Sequence, residues 1–86
     1  AKAYNNRGKL LLDQGRFEEA LADYQRAREI NPDSAAFWCN CGVALQALNR
    51  STEALACYQQ ALERQPDFAE NRWNRALCLL RSGNFE

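Results

Sequence analysis

The sequence predicts an all-α fold of stacked, antiparallel helix pairs, and three features of the chain predict it. The first is an internal repeat. Shifted by 34 residues, positions 1–34 match positions 35–68 at 15 of 34 places; shifted again, positions 69–86 match positions 1–18 at 8 of 18. The second is the recurrence of apolar and small residues three and four places apart, broken once in each repeat, which reads as helix, turn, helix. The third is the scarcity of β-branched residues: one Val, one Ile and one Thr among 86 residues give no strand signal. The chain therefore reads as a single domain over 1–86, with repeats at 1–34 and 35–68, a partial unit at 69–86, and five helices.

The first helix is expected over residues 2–14, where Tyr4, Gly8 and Leu11 share one side and Gly15 breaks the pattern. The second spans 18–30, with Phe17, Ala20, Leu21, Tyr24 and Ala27 in register, and Pro32-Asp33-Ser34 stops it. The third and fourth, over 35–48 and 52–64, repeat that plan. Trp38, Gly42 and Leu45 stand for Tyr4, Gly8 and Leu11, and Glu53-Ala54-Leu55-Ala56 repeats Glu19-Ala20-Leu21-Ala22. Pro66-Asp67 ends the fourth helix, and Asp67 with Glu70 has the spacing of an acidic capping box for a fifth over 69–82. Gly8 and Gly42, with Ala20 and Ala54, let the helices of a pair approach closely, while Tyr4, Trp38, Tyr24 and Tyr58 fill the space beside them. One pair cannot bury both of its apolar sides, so pairs stack into a solenoid.

Composition narrows function. Eleven Lys and Arg balance eleven Asp and Glu, spread along the chain, so there is no electrostatic footprint for nucleic acid or an anionic membrane surface. The longest apolar runs, 35–39 and 76–80, fall far short of the roughly 20 residues needed to span a bilayer. With Ala1 first and no basic segment leading into an apolar run, no signal peptide is expected, and the chain reads as a soluble fragment of a longer array. The absence of histidine removes His-based nucleophile activation and His-ligated metals. No Gly-rich phosphate loop or facing carboxylate pair occurs, so no enzyme activity and no cofactor are expected. The four cysteines admit a disulfide, a metal site or four buried thiols. Cys39 and Cys41 project about 200° apart on a helix, and Cys57 and Cys78 stand alone in apolar stretches, which favours reduced thiols and a cytoplasmic location.

Trp38-x2-Cys41-Gly42-x2-Leu45, followed by Ala54-x3-Tyr58, Ala61 and Pro66, resembles the tetratricopeptide repeat pattern W-x2-L-G-x2-Y, A-x3-F, A, P. Tyr4, Gly8, Leu11, Ala20, Tyr24, Ala27 and Pro32 show it in the first unit. The departures are Arg7 and Cys41 at the usual Leu, and Arg72, Arg75 and Ala76 at the places of Trp, Leu and Gly in the third unit. The resemblance implies a right-handed α-solenoid that serves as a peptide-binding interaction module.

At about 100° per residue, Tyr4, Arg7, Gly8 and Leu11 face the pair partner, while Lys2, Asn6, Lys9 and Asp13, flanked by Asn5, face away. The same face carries Ala36, Asn40, Val43 and Ala47 with Cys39 in the second unit, and Glu70, Asn74, Leu77 and Arg81 with Trp73 in the third. In a stacked solenoid these residues floor a concave surface. Asn6, Asn40 and Asn74 recur there one repeat apart, and an amide carries both the donor and the acceptor that a peptide backbone requires. They are also readable as ordinary polar residues on a solvated face or as ties within their own repeat. The row resembles the asparagine ladder of O-linked N-acetylglucosamine transferases and kinesin light chains, which implies that the three hold an extended peptide. The carboxylate clamp of co-chaperone repeats fits poorly, because Asn5, Lys9, Glu70 and Asn74 occupy its other places.

Trp73, Leu77, Val43 and Cys39 are expected to give the groove an apolar half, although Trp73 is equally readable as the family's Trp moved by one place and packed inside. The expected partner is thus an extended peptide or protein segment. The alternatives are a structural spacer, or self-association through the last helix by Leu79, Leu80 and Phe85. The segment from Trp73 onward also resembles the last repeat of bacterial arrays that lead into glycosyltransferase-like domains, which implies a substrate-holding arm.

Overall fold

The computed structural model describes residues 2–82, and within them five helices follow one another: α1 (Lys2–Asp13), α2 (Phe17–Ile30), α3 (Ala35–Ala47), α4 (Ser51–Arg64) and α5 (Ala69–Ser82). No strand forms among the described residues. Each boundary lies within one residue of the position expected from the spacing. Where α1 and α3 stop short, the next amide tightens the last turn: Gln14 N donates to both Leu10 O and Leu11 O, and Leu48 N to both Ala44 O and Leu45 O.

The turns inside the two pairs are the same structure built on different residues. Gly15 has φ 79° and Asn49, its counterpart one repeat later, φ 62°. The Gly15 amide bonds Leu12 O at 3.0 Å and the Arg16 amide bonds Leu11 O at 2.9 Å; Asn49 and Arg50 repeat both bonds to Gln46 O and Leu45 O at 3.0 and 2.9 Å. This is the paired closure that a left-handed residue after a helix allows. The start of α5 falls one place later than the expected acidic capping box of Asp67 and Glu70 requires. The helix α5 starts at Ala69, so Phe68 takes the cap place, Asp67 lies in the preceding turn, and the Phe68 amide closes that turn on Gln65 O at 3.1 Å.

Close approach within each pair depends on glycine. A Cβ on Gly8 would stand 2.8 Å from the Tyr24 ring, and one on Gly42 only 2.5 Å from the Tyr58 ring. Around these contacts Ala20, Ala27, Ala54 and Ala61 are fully buried, and Leu21, Leu45 and the four cysteines complete the core. All four thiols are free.

The two pairs solve one position differently. In the first, the Arg7 guanidinium grips the buried Asp23 carboxylate with two bonds, of 2.7 and 2.8 Å. In the second, the same register holds Cys41 and Cys57, both buried. The first pair has no neighbour on its outer side among the described residues, and the Arg7 side chain stays 63% exposed. An ion pair suits a position where one partner is exposed, and compact apolar groups suit one where both are buried. Trp38 joins the pairs: its ring lies between the Arg28 and Arg64 guanidiniums, 4.5 and 4.7 Å from the centroid, and its Nε1–H and the Arg64 Nε–H both donate to Pro32 O, at 2.8 and 2.7 Å.

Candidate functional site

The first helices of the repeats, α1, α3 and α5, lie side by side, and hydrogen bonds fix their order. Asn40 Nδ2 donates to Asn5 Oδ1 across α1 and α3 at 2.6 Å, and Asn74 Nδ2 makes a long contact of 3.7 Å with Cys39 Sγ across α3 and α5. Both reach back 35 residues, one place beyond the repeat. Asn6 is exposed on α1, while Asn40 and Asn74 thus tie their helices to the first helix before them. That role differs from a solvated residue and from a tie within one repeat.

The expected floor divides by accessibility. Lys2, Asn6 and Lys9 are exposed on α1, and Asn5, Asn40, Val43, Asn74 and Leu77 are half-buried. Val43, Asn74 and Leu77 meet in one groove of about 270 Å³, which Gln46, Ala47, Tyr58 and Arg81 complete. Cys39 does not reach its surface. It is 2% exposed beneath Asn74, and burial pushes its thiol up to about 11. Trp73 does not join the groove either. It lies about 100° around α5 from Asn74, 65% exposed, beside Leu62, Pro66, Ala69 and Ala76 at the open end. Arg72 holds the Trp place of the repeat there, and no described helix follows to cover the ring.

Two groove residues lay outside the sequence reading. Tyr58 reads as filling beside Gly42, which it is: the side chain is fully buried at the base of the groove, and its hydroxyl donates to Gln46 Oε1 at 2.7 Å. The spacing of Tyr58 and Gln46 across a turn was the available signal, and it needs the pairing of α3 with α4 before it means anything. Burial raises the Tyr58 hydroxyl above its ordinary value, so it remains a protonated donor across the physiological range.

The groove offers amide groups, a guanidinium and two apolar side chains, a set suited to holding a chain. Among the described residues no cluster of three or more metal-binding side chains forms, and no helix is long and apolar enough to cross a membrane. The family description "TPR repeat" matches residues 8–49, and "Tetratricopeptide repeat" matches residues 35–68. The chain belongs to the tetratricopeptide repeat family. Repeats of this family are generally protein-interaction modules, and the five helices make about two and a half of them. No curated protein matches the chain.

Proposed function

We propose that the chain holds an extended peptide or protein segment in the groove along α1, α3 and α5, and performs no catalysis of its own. The observation that carries this reading is the meeting of Val43 and Leu77, from successive repeats, beside Asn74 and Arg81. An extended chain needs donors and acceptors at intervals, with pockets between them. The Asn6 amide is exposed, and the Oδ1 atoms of Asn40 and Asn74 accept no hydrogen bond among the described residues. Val43 and Leu77 suit an apolar side chain; Lys2, Lys9 and Arg81 favour acidic ones. Each neutral hydrogen bond is worth about 0.5–1.5 kcal/mol, and the ordering of a flexible ligand offsets part of that, so affinity is micromolar or weaker.

The competing reading is a spacer or self-association segment of a larger protein, including the substrate-holding arm of a glycosyltransferase. The Asn40 to Asn5 bond favours it, since that amide already serves the stack. A peptide-array screen followed by substitution separates the two. Asn6→Ala, Asn40→Ala and Asn74→Ala are expected to weaken a selected peptide singly and to abolish binding together, while Arg26→Ala leaves it unchanged. A folded triple variant that binds as the parent does rejects the groove and leaves the spacer.

A further inference from the structure

One amide of the groove between α3 and α5 is oriented from below, which turns an ambivalent polar group into a donor. The groove opens on the side away from the second helices, so a further unit stacked on α5 lengthens it and leaves its lining unchanged. Its base is the Tyr58 side chain, which is fully buried and whose hydroxyl donates to Gln46 Oε1 at 2.7 Å. With the amide turned over, Nε2 would face the hydroxyl and the buried proton would lose that acceptor, which is costly. Burial keeps the hydroxyl protonated, so the constraint holds across the physiological range. Gln46 is half-buried, and with Oε1 turned inward its Nε2 group is left to the groove as a donor without a hydrogen-bond partner among the described residues.

A second donor comes to the same corner. The Arg81 guanidinium lies near enough to the Tyr58 hydroxyl to favour its ionisation, against the larger effect of burial. Gln46 and Arg81 therefore border one hydroxyl from two helices, and no carboxylate lines the groove to neutralise them. One turn earlier on each helix, Val43 and Leu77 supply the apolar side chains.

We propose that Gln46, oriented by Tyr58, is a specificity-determining residue of this groove: with Arg81 it takes a carboxylate side chain of the bound segment, two places from an aliphatic side chain that rests on Val43 and Leu77. The inference rests on the peptide-holding function proposed above and adds which segments are held. Alternate residues of an extended chain point the same way and lie about 6.5–7 Å apart, close to the helical turn of about 5.4 Å that separates the apolar places from the donors. A carboxylate accepts from both donors at once, whereas the similarly shaped Gln side chain has one oxygen and brings an amino group against them. Tyr58 acts through Gln46 and is a positioning residue.

The probe is an array of short peptides with Leu or Val two places from Glu, in either chain order, each beside a copy with Gln in place of that Glu. The whole chain is applied to it, and the tightest pair is remeasured in solution by fluorescence anisotropy. The parent is expected to bind the Glu copy about tenfold more tightly than the Gln copy. Gln46→Glu keeps an acceptor for the Tyr58 hydroxyl but sets a carboxylate oxygen where the donor stood, so the preference is expected to vanish or invert. Tyr58→Phe removes the proton that orients the amide, and the ratio of the two affinities is expected to fall toward unity while the circular dichroism of the chain is unchanged. Leu77→Ala is expected to weaken both copies by the same factor and leave the ratio as it is. If no peptide binds the parent, the peptide-holding function falls and this assignment with it. If peptides bind and Gln46→Glu retains the preference for Glu, the assignment alone is overturned; Gln46→Glu decides the matter by itself where Tyr58→Phe does not fold.

Discussion

At the residue scale, the sharpest constraint is the missing side chain of Gly42. Alanine at an exposed helical position stabilises relative to glycine by about 0.5–1 kcal/mol, so Gly42→Ala ordinarily looks favourable. Here the added Cβ lies 2.5 Å from a Tyr58 ring that is fully buried and held at its far end by Gln46. Overpacking outweighs propensity, and a loss of about 1–3 kcal/mol in urea denaturation is expected. Gly8→Ala is milder, because the contact with Tyr24 is 2.8 Å. An unchanged midpoint for Gly42→Ala contradicts the packing account.

Asn49 gives the opposite case. Its φ of 62° is readily taken by glycine and tolerated by asparagine, so Asn49→Gly is expected to be nearly neutral, while Asn49→Val loses about 1–3 kcal/mol by the same assay. A valine variant as stable as the parent means that the turn relaxes out of the left-handed region.

At the element scale, the pair of α1 with α2 depends on acid in a way that the pair of α3 with α4 does not. The Arg7 guanidinium, through its hydrogen bonds, holds the Asp23 carboxyl below its ordinary 3.8. A depressed folded value stabilises above the unfolded value and loses that contribution as pH falls through the folded one. The parent is therefore expected to lose stability relative to Asp23→Asn between about pH 5 and pH 2, by urea denaturation at each pH. Parallel curves for the two proteins reject the pairing as a source of acid sensitivity.

The same position shows where the sequence was legible. Helix existence, order and boundaries followed from spacing and turn residues, because 34-residue self-similarity averages out local ambiguity. Arg7 read as a departure from the repeat, since its meaning lies in Asp23 sixteen residues away across the pair. The groove was legible in part: Val43, Asn74 and Leu77 meet as their helical angles implied, but Cys39 sinks beneath Asn74 and Trp73 turns to the open end. One repeat seen alone fixes the angle of a side chain about its helix. What lies against it depends on the next helix.

At the scale of the whole molecule, the core is built from weak acids kept neutral. Burial pushes the Cys39 thiol up to about 11 and that of Cys41 to about 12, raises Cys57 and Cys78 above the ordinary 9.0, and lifts the Tyr24 hydroxyl to about 12. The Arg28 guanidinium beside Cys41 and Cys57 opposes this and is outweighed by burial. A group whose folded value is raised contributes its full stability below the unfolded value and loses it as pH climbs toward the folded one. For the thiols that window opens near pH 9, and Cys39 and Cys41 each add about 1.4 kcal/mol of lost stability per pH unit while the unfolded chain ionises and the folded one does not. For Cys39 and Cys41 the loss continues over about two units or more, a large share of the total stability of about 5–10 kcal/mol that a domain of this size commands, and Cys57 and Cys78 act in the same direction. Cooperative loss of helix by circular dichroism is therefore expected between about pH 10 and 11, and the paired change Cys41→Ala with Cys57→Ala is expected to move that midpoint upward even where it lowers stability at pH 7. Alkylation by iodoacetamide at pH 8 gives an independent check, with all four thiols slow in the folded chain and fast in urea. If alkali leaves the helix intact to pH 12, or the double variant unfolds at lower pH than the parent, the neutral thiols do not set the alkaline limit of the fold.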